Sequence, residues 1–196
     1  GSGGALRAVI WFCDLRGFTE LADRLPRTEL IALLNDYFEV MAEAVRDAGG
    51  EVLKFVGDGM LAIFEMRDAA ETLRSAAAAL AAAGTAAARV ATVNAERRRA
   101  GRPELRFGLA LHLGEVTYGN IGAPDRLDFT VIGPAVNHAS RLEKLAGALG
   151  RPVVASASFA AAAPDASLVS LGRHSLRGVA EPQEVFAPAD EAATAH

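Results

Sequence analysis

RAVIWFCDLRGFT, residues 7–19, is an apolar run that stops abruptly at an acid. From Arg7 to Cys13 it is almost continuously hydrophobic, with β-branched and aromatic side chains. That length and content predict a strand buried on both faces. Asp14 follows directly at its end. Beyond it, Leu15-Arg16-Gly17-Phe18-Thr19 leads into a helix, whose first backbone N–H groups have no intrahelical acceptor and can cradle phosphate.

Working outward, Leu30, Leu33, Leu34, Tyr37, Phe38, Met41, Ala44 and Val45 recur at helical spacing. They predict a helix from about Pro26 to Ala48, with Pro26 in the first turn and Gly49-Gly50 as the stop. Glu51 to Val56 and Met60 to Phe64 read as two strands around Gly57-Asp58-Gly59, a strong hairpin signal. Arg67 to about Arg99 is alanine-rich and helical, with a break expected at Gly84. Leu105 to Leu113, Glu115 to Ile121 and Leu127 to Ile132 read as strands separated by glycine-containing turns. Ala135 to Leu149 is a helix, and short strands are expected near 153–155, 169–175 and 184–187. The order predicts a mixed α/β (α+β) domain with a split βαβ sheet and flanking helices.

Composition narrows the classes. The 196 residues suit one domain, at 51% hydrophobic and 22% charged. Twenty Lys and Arg against 24 Asp and Glu give a net charge of -4, with no basic excess for a nucleic-acid backbone. Arg97-Arg98-Arg99 reads as a solvated helix end. The single cysteine, Cys13, excludes an internal disulfide and fits a cytoplasmic setting. No uninterrupted apolar run reaches the ~20 residues of a membrane helix, so no membrane contact by this domain is expected. Residues 1–5 read as a cloning remnant, 6–188 as the folded domain and 189–196 as a disordered tail.

Asp14 at a strand end and Asp58 in a tight turn are the first candidate site. A strand-helix-strand crossover makes the first two strands parallel and brings both carboxylates to one end of the sheet. Two hard anionic ligands there suit Mg²⁺ or Mn²⁺, with a substrate phosphate completing the shell. Taken singly, each aspartate reads equally as a turn or strand-end residue.

Three segments together carry a resemblance. FCDLRGFT (12–19), KFVGDG (54–59) and VIGPAVNHASR (131–141) resemble, in order and spacing, the motifs of class III adenylate cyclases. The resemblance runs from about residue 7 to 187. It implies the class III nucleotidyl cyclase fold, with a ferredoxin-like core sheet, acting as a head-to-tail homodimer on ATP with two Mg²⁺ or Mn²⁺ ions per site. It implies that Asp14, Leu15 and Asp58 hold metal, with residues 15–19 around the triphosphate. It also implies that Lys54 and Thr130 read adenine, Asn137 orients the ribose, and Arg141 stabilises charge on the reacting phosphate. In this family the base-reading and α-phosphate groups act across the interface. The chemistry agrees: a Lys ammonium donates to adenine N1, where guanine presents an N–H. Asn137 and Arg141, four apart, share a helix face.

Some positions depart from the family pattern. Thr130 stands where Asp is commonest, resembling the subgroup called class IIIb; its hydroxyl both accepts and donates, so it excludes guanine less sharply than a carboxylate. Arg177, in Ser175-Leu176-Arg177-Gly178-Val179, stands where relatives often place a Lys near the terminal phosphates, and its planar fork suits that task. Pro134 replaces a common Asp. A surface ion pair with Glu143 is the ordinary alternative for Arg141. His112, His138, His174 and His196 show no metal-ligand spacing and read as structural or solvated. Cys13 reads as a small buried residue. A guanylate cyclase, a non-catalytic module of the same fold and another two-metal nucleotidyl transferase are the rival readings.

Overall fold

The computed structural model describes residues 3–121 and 128–189. The expected tail at 189–196 lies outside them, apart from Ala189. β1 (Gly3–Leu15) is the centre of the sheet, and Ala8, Val9, Ile10, Trp11 and Cys13 within it are fully buried. Both faces of this strand are covered, as its unbroken apolar run predicts. It extends four residues further back than the sequence reading: Gly3 to Leu6 pair with Gly119 to Val116.

After β1 come α1 (Phe18–Arg24), α2 (Arg27–Asp47), β2 (Glu51–Val56), β3 (Gly59–Met66), α3 (Ala69–Arg99) and β4 (Phe107–Ile121). β5 (Asp128–Ile132), α4 (Pro134–Ala148), β6 (Val153–Ser156), α5 (Ala157–Ala162), β7 (Leu168–His174) and β8 (Gln183–Pro188) complete the chain. The sheet runs β2-β3-β1-β4-β6-β8-β7, with β5 paired to the far half of β4. Its first four strands pair antiparallel in the ferredoxin-like order. β3 lies between β1 and β2, so the first two strands are parallel but not adjacent.

Side-chain alternation along β1 divides the core. Val9, Trp11, Cys13 and Leu15 point toward α2 and α3, where the Trp11 indole N–H donates to the Ala79 carbonyl at 3.1 Å. Ile10 points to the opposite face, where it meets Ala139 of α4. α4 therefore covers the other side of the sheet. Asp14, in phase with Ile10, belongs to that side.

Three expectations are corrected. α3 runs unbroken through Gly84: a glycine costs a helix only about 1 kcal/mol relative to alanine, and the buried face formed by Ala76, Ala79, Ala82, Ala83, Ala86 and Val90 holds the whole length. The two strands expected on either side of Gly114 are one, because β1 pairs without interruption along β4. Gly114 marks a close approach instead, since a Cβ there would lie 2.7 Å from the Ala135 Cβ at the start of α4. Arg97 is not solvated: it is 5% exposed, donates to Asp36 at 2.7 Å and also bonds the Pro103 carbonyl. By length and composition alone α3 could cross a membrane, although its small-residue face packs into the core.

Candidate functional site: an acidic pair and a cationic pocket on one helix

The β2–β3 hairpin closes on a two-residue loop, Gly57-Asp58, after which Gly59 pairs with Asp14. This register places the Asp58 carboxylate against the end of β1, where it accepts from the Leu15 backbone N–H as well as its own. The expected meeting of Asp14 and Asp58 thus arises through β3, the strand between the parallel pair. Burial, and then the charge of Asp14, raise the Asp58 carboxyl above its usual range, while those two N–H donors pull the other way.

A third acid joins them. Glu143 lies on the buried face of α4 with Ala139, Leu142 and Ala146, and is 3% exposed. Its carboxyl hydrogen-bonds Asp14. Burial pushes Glu143 up to about 9, the hydrogen bond and charge of Asp14 adding to it and the Arg16 guanidinium opposing it. Glu143 is therefore no partner for Arg141. The signal for its role lay in the sequence, as the one acid on the apolar stripe of an amphipathic helix.

Arg16 turns inward. Its amide donates to the Arg106 carbonyl at 2.8 Å and its guanidinium to the Arg151 carbonyl, beside Gly108 and Glu143. Gly17, in the left-handed region at φ 70, caps α1, so Phe18 and Thr19 open the helix.

The protonation of Glu143 has a measurable consequence. An unfolded chain releases this proton near the ordinary value of 4.5, whereas the folded chain holds it to about 9. Metal-free stability should therefore fall as pH rises through that window. Glu143→Gln keeps a donor toward Asp14 and has no proton to lose. It is expected to flatten that slope and to melt higher than the wild type at pH 8 in chelator, as read by Tm against pH; parallel curves for the two proteins would refute it.

The remaining candidates lie elsewhere. A cavity of about 530 Å³ on the far side of α4 is lined by Asn137, Ser140, Arg141, Lys144, Ser175 and Arg177, among others. Arg141 lies over Gly178, where a Cβ would come within 2.5 Å of its guanidinium. Neither Asp14 nor Asp58 lines this cavity. The cause is helical geometry: Arg141 and Glu143, two residues apart at ~100° each, leave α4 in roughly opposite directions. Lys54 is exposed on β2, the outer strand of the sheet. Thr130 sits in β5 opposite Gly119, and its side chain lies outside the described residues.

Two of the histidines pack between helix and sheet. His112 of β4 and His138 of α4 stack with ring centroids 4.2 Å apart, and His112 Nδ1 meets the Ser156 hydroxyl at 2.7 Å. Burial, then the neighbouring His138, lower His112 to about 3, so the pair pins α4 to the sheet as neutral rings. His196 lies outside the described residues. Cys13 is buried, and its thiol is pushed up to about 12, chiefly by desolvation.

Among the described residues, no group of three or more His, Cys, Asp or Glu could by itself enclose a metal ion. The acidic pair fits a different kind of centre. Two hard carboxylates crowding each other's charge make a donor set that a divalent cation relieves, with other ligands left to a substrate.

Comparison with known proteins bears on this arrangement. A family model described as the adenylate and guanylate cyclase catalytic domain matches residues 6–187. An adenylate cyclase of Anabaena cylindrica is 34% identical over 149 residues, which is 74% of this chain and 28% of that protein. The chain spans about a third or less of the length of the curated relatives it matches. Among solved structures, the adenylyl cyclase CyaB from P. aeruginosa superposes with a TM-score of 0.84 at 27% identity, covering 95% of both chains. A guanylyl cyclase superposes with a TM-score of 0.78 at 28% identity, covering 95% of this chain and 93% of that one.

Proposed function

The chain belongs to the adenylate and guanylate cyclase catalytic-domain family, and on that premise we propose that it is an adenylate cyclase, converting ATP to 3′,5′-cyclic AMP and pyrophosphate at sites shared between two copies of itself. The family is generally divalent-metal dependent, and its domains bind nucleotides and function as dimers. The observation that carries the shared-site reading is the opposition on α4. Glu143 and the aspartates lie on one side, Asn137 and Arg141 on the other, so the same chain's Arg141 points away from a phosphate held at Asp14 and Asp58. A head-to-tail partner supplies the missing half.

In the proposed reaction the ribose 3′-oxygen forms a bond to the α-phosphorus and the bond to the bridging oxygen of the β-phosphate breaks. Pyrophosphate leaves with the electron pair, and the hydroxyl proton passes to solvent. Asp14 and Asp58, with the Leu15 carbonyl, are the groups that would hold two Mg²⁺ or Mn²⁺ ions. Bound there, such ions lower the pKa of the 3′-hydroxyl and polarise the phosphate oxygens. Phe18 and Thr19 offer backbone N–H groups to the triphosphate. Asn137 of the partner subunit fixes the ribose, and the partner's Arg141 offsets charge on the α-phosphate as it develops. The partner's Arg177 lies in the same cavity and takes a more distal phosphate.

Two features favour ATP. Lys54 is a donor suited to adenine N1, which accepts where guanine donates. The Thr130 hydroxyl accepts from the adenine amino group, although it also tolerates a guanine oxygen. The rival is guanylate cyclase activity, since one structural relative at similar identity is a guanylyl cyclase. ATP and GTP turnover, measured separately with each metal across a range of protein concentrations, decides between them. Cyclic AMP as the main product, with specific activity rising with concentration, is expected. Cyclic GMP as the main product would reverse the base assignment, and no cyclic product from a verified dimer would leave a non-catalytic module.

A further inference from the structure

Beyond Asn137, Arg141 and Arg177, the cavity on the far side of α4 contains a cation that no role above employs. Lys144 lines it together with Ser140 and Ser175, and no carboxylate is among the lining residues. Among the described residues, Arg67, Arg89, Arg97 and Arg98 are each in an ion pair, but Arg141, Lys144 and Arg177 are in none. In a chain of net charge -4, three unneutralised cations around one cavity form a local field set against the average.

Their arrangement has a direction. Asn137, Arg141 and Lys144 stand at i, i+4 and i+7, one stripe along α4. Lys144 lies ~4.5 Å beyond Arg141 along the helix axis, in the direction away from Asn137. If Asn137 meets the ribose and Arg141 the α-phosphate, the next position serves the far end of the polyphosphate. The residue type agrees. An arginine fork fixes a planar set of oxygens, whereas a lysine is a compact charge on a flexible stem, able to follow a group that shifts as it departs. The Ser140 and Ser175 hydroxyls add donors that carry no charge.

We infer that Lys144 is a substrate-contacting residue that binds the terminal phosphates of the nucleoside triphosphate and then the pyrophosphate product, from the pocket it shares with Arg141 and Arg177. This rests on the shared-site reading, and the test separates the two. Lys144→Ala is expected to raise KM for ATP about tenfold, by more than it lowers kcat. It should weaken inhibition by pyrophosphate by a similar factor, and Lys144→Arg should recover most of both. Tm should stay at the wild-type value, because Lys144 is exposed. Calorimetric titration of the chain with tripolyphosphate reads the same contact without turnover, and Lys144→Ala should bind it more weakly. Unchanged KM, pyrophosphate inhibition and tripolyphosphate affinity in Lys144→Ala would overturn the assignment, and the shared site would stand if Arg141→Ala were still inactive. A wild-type dimer without turnover would instead remove the parent reading, and the tripolyphosphate titration would still decide on the pocket.

Discussion

Asp58→Ala is expected to lose metal-dependent turnover by at least about three orders of magnitude, the scale of several kcal/mol of charge stabilisation removed from a phosphoryl-transfer transition state. The hairpin loop delivers this carboxylate to the end of β1, where the Leu15 N–H fixes it. Its neighbour Asp14 is engaged by Glu143. Alanine removes half of the acidic pair, and with it a ligand for the divalent cations that would offset the substrate's charge. The fold should survive the change. Burial and Asp14 already disfavour the charged Asp58, so the loss of two backbone hydrogen bonds is partly offset by relief of repulsion. The measurement is initial rate against Mg²⁺ and Mn²⁺ concentration, with Tm as the control for folding. A folded Asp58→Ala protein with wild-type rates would remove the acidic pair from the mechanism.

Mixing two inactive proteins should then restore activity. Arg141→Ala keeps the aspartates and loses the charge-stabilising group, whereas Asp58→Ala does the reverse. In a mixed dimer one site combines both lesions and the other has none. Random pairing of equal amounts makes half of the dimers mixed, each with one intact site of two, so recovery should approach about a quarter of wild-type activity. The check is a titration of one variant into the other, with heterodimers isolated through distinct tags. A verified heterodimer that stays inactive would mean that each chain builds its site alone, against the opposed faces of α4. Dilution should abolish the recovered activity as the dimers dissociate.

Much of this was legible in the sequence because the decisive signals are local. An unbroken apolar run ending in Asp14, a glycine-flanked Asp58 between two apolar strands, and Asn137 and Arg141 on one helical turn each state a geometry within a few residues. The meeting of Asp14 and Asp58 needed only the pairing of β1 with β3. What escaped the sequence reading depends on partners far along the chain. Gly114 looks like a turn until Ala135 is found against it. Arg97 looks solvated until Asp36 and the Pro103 carbonyl close over it. Glu143 looks like an ion-pair partner for Arg141 until burial turns it toward Asp14. In each case the local pattern is ambiguous, and a contact between distant segments resolves it.

The placement of Glu143 and Arg141 has a mechanical side. Two residues apart on one α-helix, they cannot be moved independently. In a shared-site dimer Glu143 touches the aspartate of one active site and Arg141 reaches into the other. A shift of Asp14 that tilts α4 therefore carries the arginine of the opposite site with it. In such a dimer the helix would act as a rocker arm between two reaction centres whose substrates never meet.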